Sequence, residues 1–254
     1  MDLKRNFRLI VVLTIANLQS RYRNTFYGFL WVLMNPILTY AVQVFAFTTI
    51  FQVRFPNYAV YLLAGLFPWM FIVQSVDMCT GIFVNSGSII KNIPMPPLLL
   101  VYVQVLDNFI NFFCAFLLII IYNVFFKSLN GLNVLYIVIP TISLLLATTS
   151  MSIFFSLLNV RFRDLKFVVS FIFSLLFYMT PIFYNIAQVP EHFRKFIGNN
   201  PLYFLLKPFQ LILLSDGSEF FVKSIIQSCV VSFILMGFAL LCWKKMKKML
   251  VFYV

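Results

Sequence analysis

Acidic residues and histidines are scarce in this sequence of 254 residues. Seven Asp and Glu residues stand against nineteen Lys and Arg residues, and His192 is the single histidine. His192 has neither an HExxH sequence nor the companions of a catalytic triad, so a catalytic or metal role is not expected for it. An enzyme acting inside a membrane would need a nucleophile with a base, or a set of metal ligands, and the sequence offers neither.

Nucleotide-binding and metal-binding motifs are also missing. No Gly-rich loop of the form GxxxxGK occurs, which argues against ATP binding by this chain in that way. There is no CxxC pair, and Cys79, Cys114, Cys229 and Cys242 all fall in apolar stretches, where cysteine is usually a small buried side chain. We therefore expect no catalytic residue, metal site or cofactor in this chain, and its energy source must be a partner or a gradient.

Long apolar stretches dominate what is present, since 62% of the residues are hydrophobic. A hydrocarbon core about 30 Å thick requires about 20 residues of helix. Stretches of that kind, with Asp77 and Asp107 as their only charges, lie roughly at 27–51, 59–83, 98–126, 134–158, 167–185 and 224–243. Because lipid excludes open sheets and the lengths favour helices, we predict an all-α integral membrane protein with six transmembrane helices in a single domain covering 1–254.

The basic residues are concentrated in alternate connections between these stretches. Thirteen of the nineteen lie in the first, third, fifth and last connections. Because Lys and Arg are in excess in cytoplasmic loops, both termini are predicted to be cytoplasmic (N-in, C-in), and residues 244–254 form a basic cytoplasmic tail. The net charge of +12 then reflects topology and anionic headgroups of the membrane, and no nucleic-acid partner is expected.

Residues 1–25 combine basic side chains with an apolar centre over residues 9–16 that is too short to cross a bilayer. A cleaved signal peptide does not fit, because no small-x-small site precedes the next apolar stretch. We predict an interfacial amphipathic helix whose bases face lipid phosphate. The amphipathic pattern is not clean, so a frayed basic tail stays open as the alternative.

The third connection reads NSGSIIKNIPMPP over residues 85–97. Ser86 and its neighbours can begin a helix, and the prolines from Pro94 onward end it. Ile89 and Ile90 would be exposed on this short helix, as in a surface that docks against another protein. An ordinary connector is an equal alternative, because Pro and Ser are common in loops.

Four polar residues share one face of the third stretch: Gln104, Asp107, Asn108 and Asn111 follow at helical spacings of three and four. A charge inside a membrane is costly, so this channel or dimer face should point into a subunit interface or a wet cavity. A neutral, hydrogen-bonded aspartate between helices is the alternative.

The connection over residues 186–223 is more than a loop. It contains a predicted short helix over 190–198 and an apolar stretch over 202–214 that Lys207 and Pro208 interrupt. Neither piece is long enough to cross. We predict two short re-entrant helices that dip into the outer leaflet, since their apolar residues would otherwise lie in water.

Four segments, in order, resemble signatures of ABC exporter permeases for polysaccharides such as O-antigen, capsule and teichoic acid. Residues 21–36, RYRNTFYGFLWVLMNP, resemble the sequence that enters the first membrane helix in this family. Residues 90–100, IKNIPMPPLLL, resemble the family's coupling segment. Residues 157–168, LLNVRFRDLKFV, resemble the family's second cytoplasmic loop. Residues 177–184, FYMTPIFY, resemble the end of the family's fifth span. The resemblance covers nearly the whole chain.

This resemblance implies a homodimeric permease in the bacterial cytoplasmic membrane. Each copy would bind a separate ATP-binding cassette subunit, which holds ATP and magnesium, through the N-terminal helix and the coupling segment. Residues 186–223 would form two outer gate helices. The implied substrate is a lipid-linked glycan, typically built on undecaprenyl diphosphate. The coupling residues would be Ser86, Ile89, Ile90, Lys91, Asn92 and Pro94.

Arg21 and Arg23 lie at the predicted cytoplasmic headgroup level. They could attract a lipid diphosphate by charge and bidentate hydrogen bonding. Anchoring of the topology by positive charge is the competing interpretation.

Two further questions stay open at the level of sequence. A gradient-driven secondary transporter is the rival class, although the two halves of the chain show no matching pair of broken helices. Within the exporter class, the sequence does not choose among O-antigen, capsule, teichoic acid or another lipid.

Overall fold

The structure is a computed structural model that describes residues 3–22, 57–92, 95–126, 135–214 and 218–253, and positions 34, 38, 41–46 and 49. The described part of the chain is helical and contains no strand, as the composition predicted. In chain order the helices are α1 Leu3–Tyr22, α2 Tyr58–Thr80, α3 Ile82–Asn85, α4 Gly87–Asn92, α5 Leu98–Phe126, α6 Val138–Arg161, α7 Leu165–Met179, α8 Glu191–Gly198, α9 Pro201–Leu214 and α10 Ser218–Tyr253. A 3-10 turn over Ile186–Gln188 precedes α8.

Four helices in the described ranges are long and apolar enough to cross a membrane: α2, α5, α6 and the part of α10 over Phe221–Lys247. The chain is therefore a multi-pass membrane protein by the length and composition of its helices. The predicted first span, 27–51, lies largely outside the described residues. The total of six spans thus stays a prediction.

Helix α2 forms the centre of the bundle and contacts α5, α6, α7 and α9. It follows Asn57, which adopts a left-handed conformation with φ 59°, a backbone geometry that asparagine tolerates. Most of its side chains are buried, including Leu62, Ile72 and Val76. Burial on all sides explains why its sequence is apolar without a polar stripe.

Helices α6 and α10 pack along much of their lengths. Both bury small or hydroxyl-bearing residues, which allow two backbones to approach closely in a membrane. The Ser143 Oγ of α6 lies 3.2 Å from the Cys229 Sγ of α10. The buried hydroxyl residues include Ser143, Thr148, Ser152 and Ser156 of α6, and Ser224, Ser228 and Ser232 of α10.

The fifth predicted span, 167–185, is too long at its C-terminal end. Helix α7 ends at Met179 after 15 residues. Thr180 is extended, with φ −104° and ψ 131°, because a residue that precedes proline disfavours the helical conformation and Pro181 follows. Helix α7 is accordingly apolar but shorter than the four spanning helices.

The last predicted span, 224–243, is too short at both ends. Helix α10 runs without interruption through 36 residues and includes part of the predicted outer connection and most of the predicted tail, 244–254. No Pro or Gly follows Gly237, and Leu, Met and Lys are good helix formers, so nothing ends the helix at residue 243.

The two short helices predicted between 186 and 223 are confirmed as α8 and α9. Helix α9 begins with Pro201, which suits the first helical position because its missing N–H would have no helical partner there. Lys207 and Pro208 interrupt the apolar run of α9 but not the helix, which continues through Pro208. Smaller differences are found at α2, which ends at residue 80 rather than 83, and at α6, which covers 138–161 rather than 134–158.

Candidate functional site

The predicted coupling segment begins after a one-residue turn that ends α2. Gly81 separates α2 from the single turn of α3, and the Asn85 N–H donates to the Gly81 carbonyl at 2.9 Å. Phe83 of α3 is fully buried, and α3 contacts both α5 and α6. This buried ring fixes the start of the segment to the helical bundle.

Helix α4 then presents a mixed surface. Ile90 packs against the core, whereas Ile89 is 41% exposed and Lys91 and Asn92 are exposed. The Ile90 N–H donates to the Ser86 carbonyl at 3.0 Å, which continues the turn into the helix. The predicted short helix is therefore present over Gly87–Asn92. Pro94 lies outside the described residues.

The polar face of α5 is directed toward α2 within one copy of the chain. Asp107 is 0% and Asn108 is 2% exposed, while Gln104 and Asn111 are partly buried. Asn108 Nδ2 donates to the Ser75 Oγ of α2 at 3.4 Å. In the same direction, Gln104 Nε2 lies 3.2 Å and Asn108 Nδ2 lies 3.6 Å from the Met78 sulfur.

These contacts bring two of the four residues into a helix–helix interface. Asp107 is buried within a single copy. A hydrogen-bonded structural role for Asp107 and a role for the whole face toward a second copy both stay predictions. Asn111 Oδ1 is buried without a hydrogen-bond partner among the described residues, as is Asn108 Oδ1. Each of these amides retains an acceptor that a further group could use.

A second polar constellation surrounds the non-helical residues 181–184 that follow α7. Tyr58 Oη donates to the Phe183 carbonyl at 2.9 Å, and Tyr61 Oη donates to the Tyr184 carbonyl at 2.8 Å. From α9, Gln210 Nε2 donates to the Pro181 carbonyl at 3.1 Å. Side chains of α2 and α9 thus satisfy backbone groups that no helix pairs, as a membrane interior requires.

Sequence reasoning missed this constellation. The motif FYMTPIFY was noticed only as a family resemblance, and the tyrosine donors precede their acceptors by more than 100 residues. The available signal was Pro181, because a proline after an apolar stretch predicts a helix end whose carbonyls need donors. The identity of those donors follows only from the packing of α2 against α9.

The N-terminal residues form α1, a helix of 20 residues that packs against α5. Thr14 is buried and donates from its Oγ1 to the Ile10 carbonyl at 2.8 Å, while Lys4, Arg5 and Arg8 are exposed. Among the candidate diphosphate ligands, Arg21 belongs to the last turn of α1. The Arg21 side chain and all of Arg23 lie outside the described residues.

The structure contains two notable cavities. One, of about 380 Å³, lies between α2 and α5 and has an almost wholly apolar wall that includes Leu63, Phe67 and Ile119. The other, of about 550 Å³, lies among α7, α8 and the start of α9 and includes polar side chains. Across the described ranges, no three His, Cys, Asp or Glu side chains converge as metal ligands would.

Comparison with known proteins matches the sequence profile of the ABC-2 type transporter family to residues 8–214. Two proteins from Klebsiella pneumoniae, each named O-antigen export system permease protein RfbA, are 35% and 34% identical to this chain over 197 residues, covering 77% of it and 76% of the relative. A Myxococcus xanthus protein of the same name is 26% identical over 206 residues, covering 80% of this chain and 79% of the relative.

Proposed function

Because this chain belongs to the ABC-2 type transporter family, whose profile spans most of its length, we propose that it is the permease subunit of an ATP-driven exporter of a lipid-linked polysaccharide. The exporter would contain two copies of this chain and two ATP-binding cassette subunits, in the bacterial cytoplasmic membrane. Its cargo would be an O-antigen-like glycan linked to undecaprenyl diphosphate. Capsule, teichoic acid or another lipid is the alternative cargo within the same class.

The observation that carries this proposal is the sequence similarity to three proteins named for O-antigen export, which extends over most of this chain and most of each relative. These matches extend over about three quarters of this chain and of each relative, so they are not limited to a short shared segment. The names of those proteins give O-antigen as their cargo. Because the present chain is similar to them over most of its length, we propose a similar cargo for it.

The proposed route of coupling begins at α4. An ATP-binding subunit would contact the exposed Ile89, Lys91 and Asn92, and its closure would push α4. Ile90 and Phe83 would pass this movement to the bundle, because both side chains contact the core. The two copies would then tilt and open a path for the lipid and its glycan.

The first experiment is purification of this chain with and without a candidate ATP-binding cassette subunit, followed by assays of complex formation and ATP hydrolysis in lipid. We expect a stable two-plus-two complex that hydrolyses ATP. A chain that associates with no ATP-binding subunit would contradict the proposal and would favour the gradient-driven transporter.

We also propose a role in substrate binding for Arg21 and Arg23. Arg21 and Arg23 would attract the lipid diphosphate at the cytoplasmic surface, because guanidinium groups bind phosphate in bidentate fashion. Replacing both residues with Gln should reduce export at least about tenfold, since each charge-assisted hydrogen bond contributes about 1.5–3 kcal/mol. Export would be measured by glycan at the cell surface, and insertion by the amount of protein in the membrane.

The control for this experiment is replacement of the exposed Lys4 and Arg5 by Gln at the other end of α1. Normal export by the Arg21→Gln, Arg23→Gln variant would contradict the proposed binding of the lipid diphosphate. Anchoring of the membrane topology would then be the remaining role of these two residues. Equal losses in both variants would indicate a general effect of charge on α1.

A further inference from the structure

The cavity of about 550 Å³ is lined by apolar side chains of α7 and by a mixed polar and apolar set from α8 and the residues after it, which we call its rim. Leu176 and Met179, near the C-terminal end of α7, contribute the apolar side chains. The rim comes from α8 and the turn after it, and includes His192, Lys195 and Asn199. A cavity of this kind suits a molecule that has a polar head and an apolar chain.

The rim residues follow the geometry of a single helix face. His192, Lys195, Phe196 and Asn199 are spaced by three, four and seven positions, which brings them to one side of α8. Phe196 is 65% exposed, although it is a large apolar residue beside an open cavity. The face therefore offers a cation, an imidazole, an amide and an aromatic surface to the same ligand.

The two adjacent basic residues of α8 have different surroundings. Arg194 donates from its Nη2 to the carbonyls of Ala187 at 3.0 Å and Val189 at 3.1 Å. These bonds fix α8 to the preceding 3-10 turn. Lys195 is exposed at the cavity and makes no ion pair or hydrogen bond within the ranges that the structure describes.

Topology makes this free lysine notable. Under the proposed orientation, α8 lies on the side opposite to the termini, where basic residues are disfavoured. Arg194 is held by two backbone carbonyls, whereas Lys195 lies in the last turn of α8, four residues after Glu191, and keeps its ammonium exposed at the cavity. A lysine ammonium is a compact charge that binds phosphate well.

We propose that this cavity binds a phosphate-bearing lipid headgroup. Lys195 would hold the phosphate, His192 and Asn199 would hydrogen-bond the headgroup, and the apolar chain would lie along Leu176 and Met179. The inference rests on the proposed function, since it assumes that α8 faces the outer leaflet. The lipid could be the exported one or a bulk phospholipid, because both carry phosphate joined to an apolar chain.

The test uses the purified full-length chain in nanodiscs of phosphatidylcholine and three probes. Farnesyl diphosphate stands for an isoprenoid diphosphate, dihexanoyl phosphatidic acid for a phospholipid, and inorganic pyrophosphate for the free anion. Binding is measured by calorimetry for the wild type, Lys195→Gln, Lys195→Arg and Lys223→Gln. Lys223 is an exposed lysine of α10 outside the cavity lining and serves as the matched control.

We expect at least one tailed probe to bind more tightly than pyrophosphate. Lys195→Gln should weaken that binding about tenfold, because one charge-assisted contact is lost, whereas Lys195→Arg and Lys223→Gln should stay within about twofold. Tighter binding of farnesyl diphosphate would assign the cavity to the exported lipid, and tighter binding of phosphatidic acid would assign it to phospholipid.

Three results would overturn the inference: no binding of a tailed probe, equal affinity of the wild type and Lys195→Gln, or pyrophosphate binding as tight as that of both tailed probes. A photoreactive benzoylphenylalanine at Phe196 adds a direct check. Cross-linking to a labelled phosphatidic acid is expected, and cross-linking only to a second copy of the chain would show that protein covers the cavity. Because these assays need neither ATP nor export, their failure is distinct from loss of association with an ATP-binding subunit.

Discussion

Gly65 lies where α2 meets both α9 and the non-helical segment after α7. A Cβ atom at this position would lie 2.8 Å from Gln210 Nε2 and 3.3 Å from Ile182 Cγ2. The Gln210 amide could move away only by losing its hydrogen bond to the Pro181 carbonyl. The hydrogen atom of glycine is therefore a requirement of the packing rather than of the backbone conformation.

Gly65→Val is expected to lower the stability of the protein by about 1–3 kcal/mol, as overpacking of a well-filled core does. The measurement is thermal unfolding of the purified protein in detergent, followed by intrinsic fluorescence. Gly237→Val is the matched control, because a Cβ there meets nothing within 4 Å. Equal melting temperatures for the two variants would contradict the close approach at Gly65.

Among the helical elements, α2 and α9 are joined through the segment between α7 and α8. Tyr61 Oη contacts both the Tyr184 carbonyl at 2.8 Å and the Pro181 carbonyl at 3.4 Å. Gln210 of α9 donates to the same Pro181 carbonyl at 3.1 Å. One short stretch of backbone thus ties together a central helix and one of the two short helices predicted as gates.

Tyr61→Phe should destabilise the protein by about 1 kcal/mol, because the part-buried Tyr184 carbonyl would lose its donor while the ring volume is kept and Pro181 keeps its bond from Gln210. Tyr178→Phe, in which an exposed tyrosine loses its hydroxyl, is the control and should change stability by less than about 0.5 kcal/mol. Chemical denaturation in mixed micelles would compare the two. If both variants unfold at the same denaturant concentration, the hydroxyl of Tyr61 contributes nothing.

The sequence predicts the bounds of a helix best where the length of its apolar stretch alone determines them. The third stretch, 98–126, coincides with α5. Helix ends depend on local chemistry that the length criterion ignores, as Pro181 shows for α7 and the uninterrupted run after Gly237 shows for α10. Partners across the bundle, such as Tyr61 and the Tyr184 carbonyl, depend on how helices pack, and no pattern along the chain specifies them.

In the whole molecule, the residues proposed to contact the ATP-binding subunit, Ile89, Lys91 and Asn92, lie on the short helix α4 between α3 and α5. Local sequence sufficed to predict α4 and the exposure of Ile89, whereas the predicted exposure of Ile90 is wrong, because Ile90 packs against the core. Local sequence did not predict that Phe83 would anchor the segment, since this required the burial of its ring against α5 and α6. The exposed Ile89 therefore stands on a support that resists displacement relative to the bundle.

Ile89→Asp is expected to weaken binding of the ATP-binding subunit about tenfold, or about 1.4 kcal/mol, because a carboxylate would lose hydration where an apolar side chain makes the contact. Membrane insertion should be unchanged, because the side chain is exposed. Co-purification yield and ATP hydrolysis in lipid measure the effect. Phe162→Asp, at an exposed apolar residue after α6, is the control, and a similar loss in both variants would remove the special role of α4.

Helix α10 is longer than any membrane is thick. Its 36 residues extend about 54 Å at 1.5 Å per residue, against a hydrocarbon core of about 30 Å. The surplus must be taken up by inclination or by projection into water at one end or both. Helix α10 packs against α6 and α9, so it cannot tilt independently of them. The depth of its lysine-bearing C-terminal end in the membrane therefore depends on the tilt of the whole bundle.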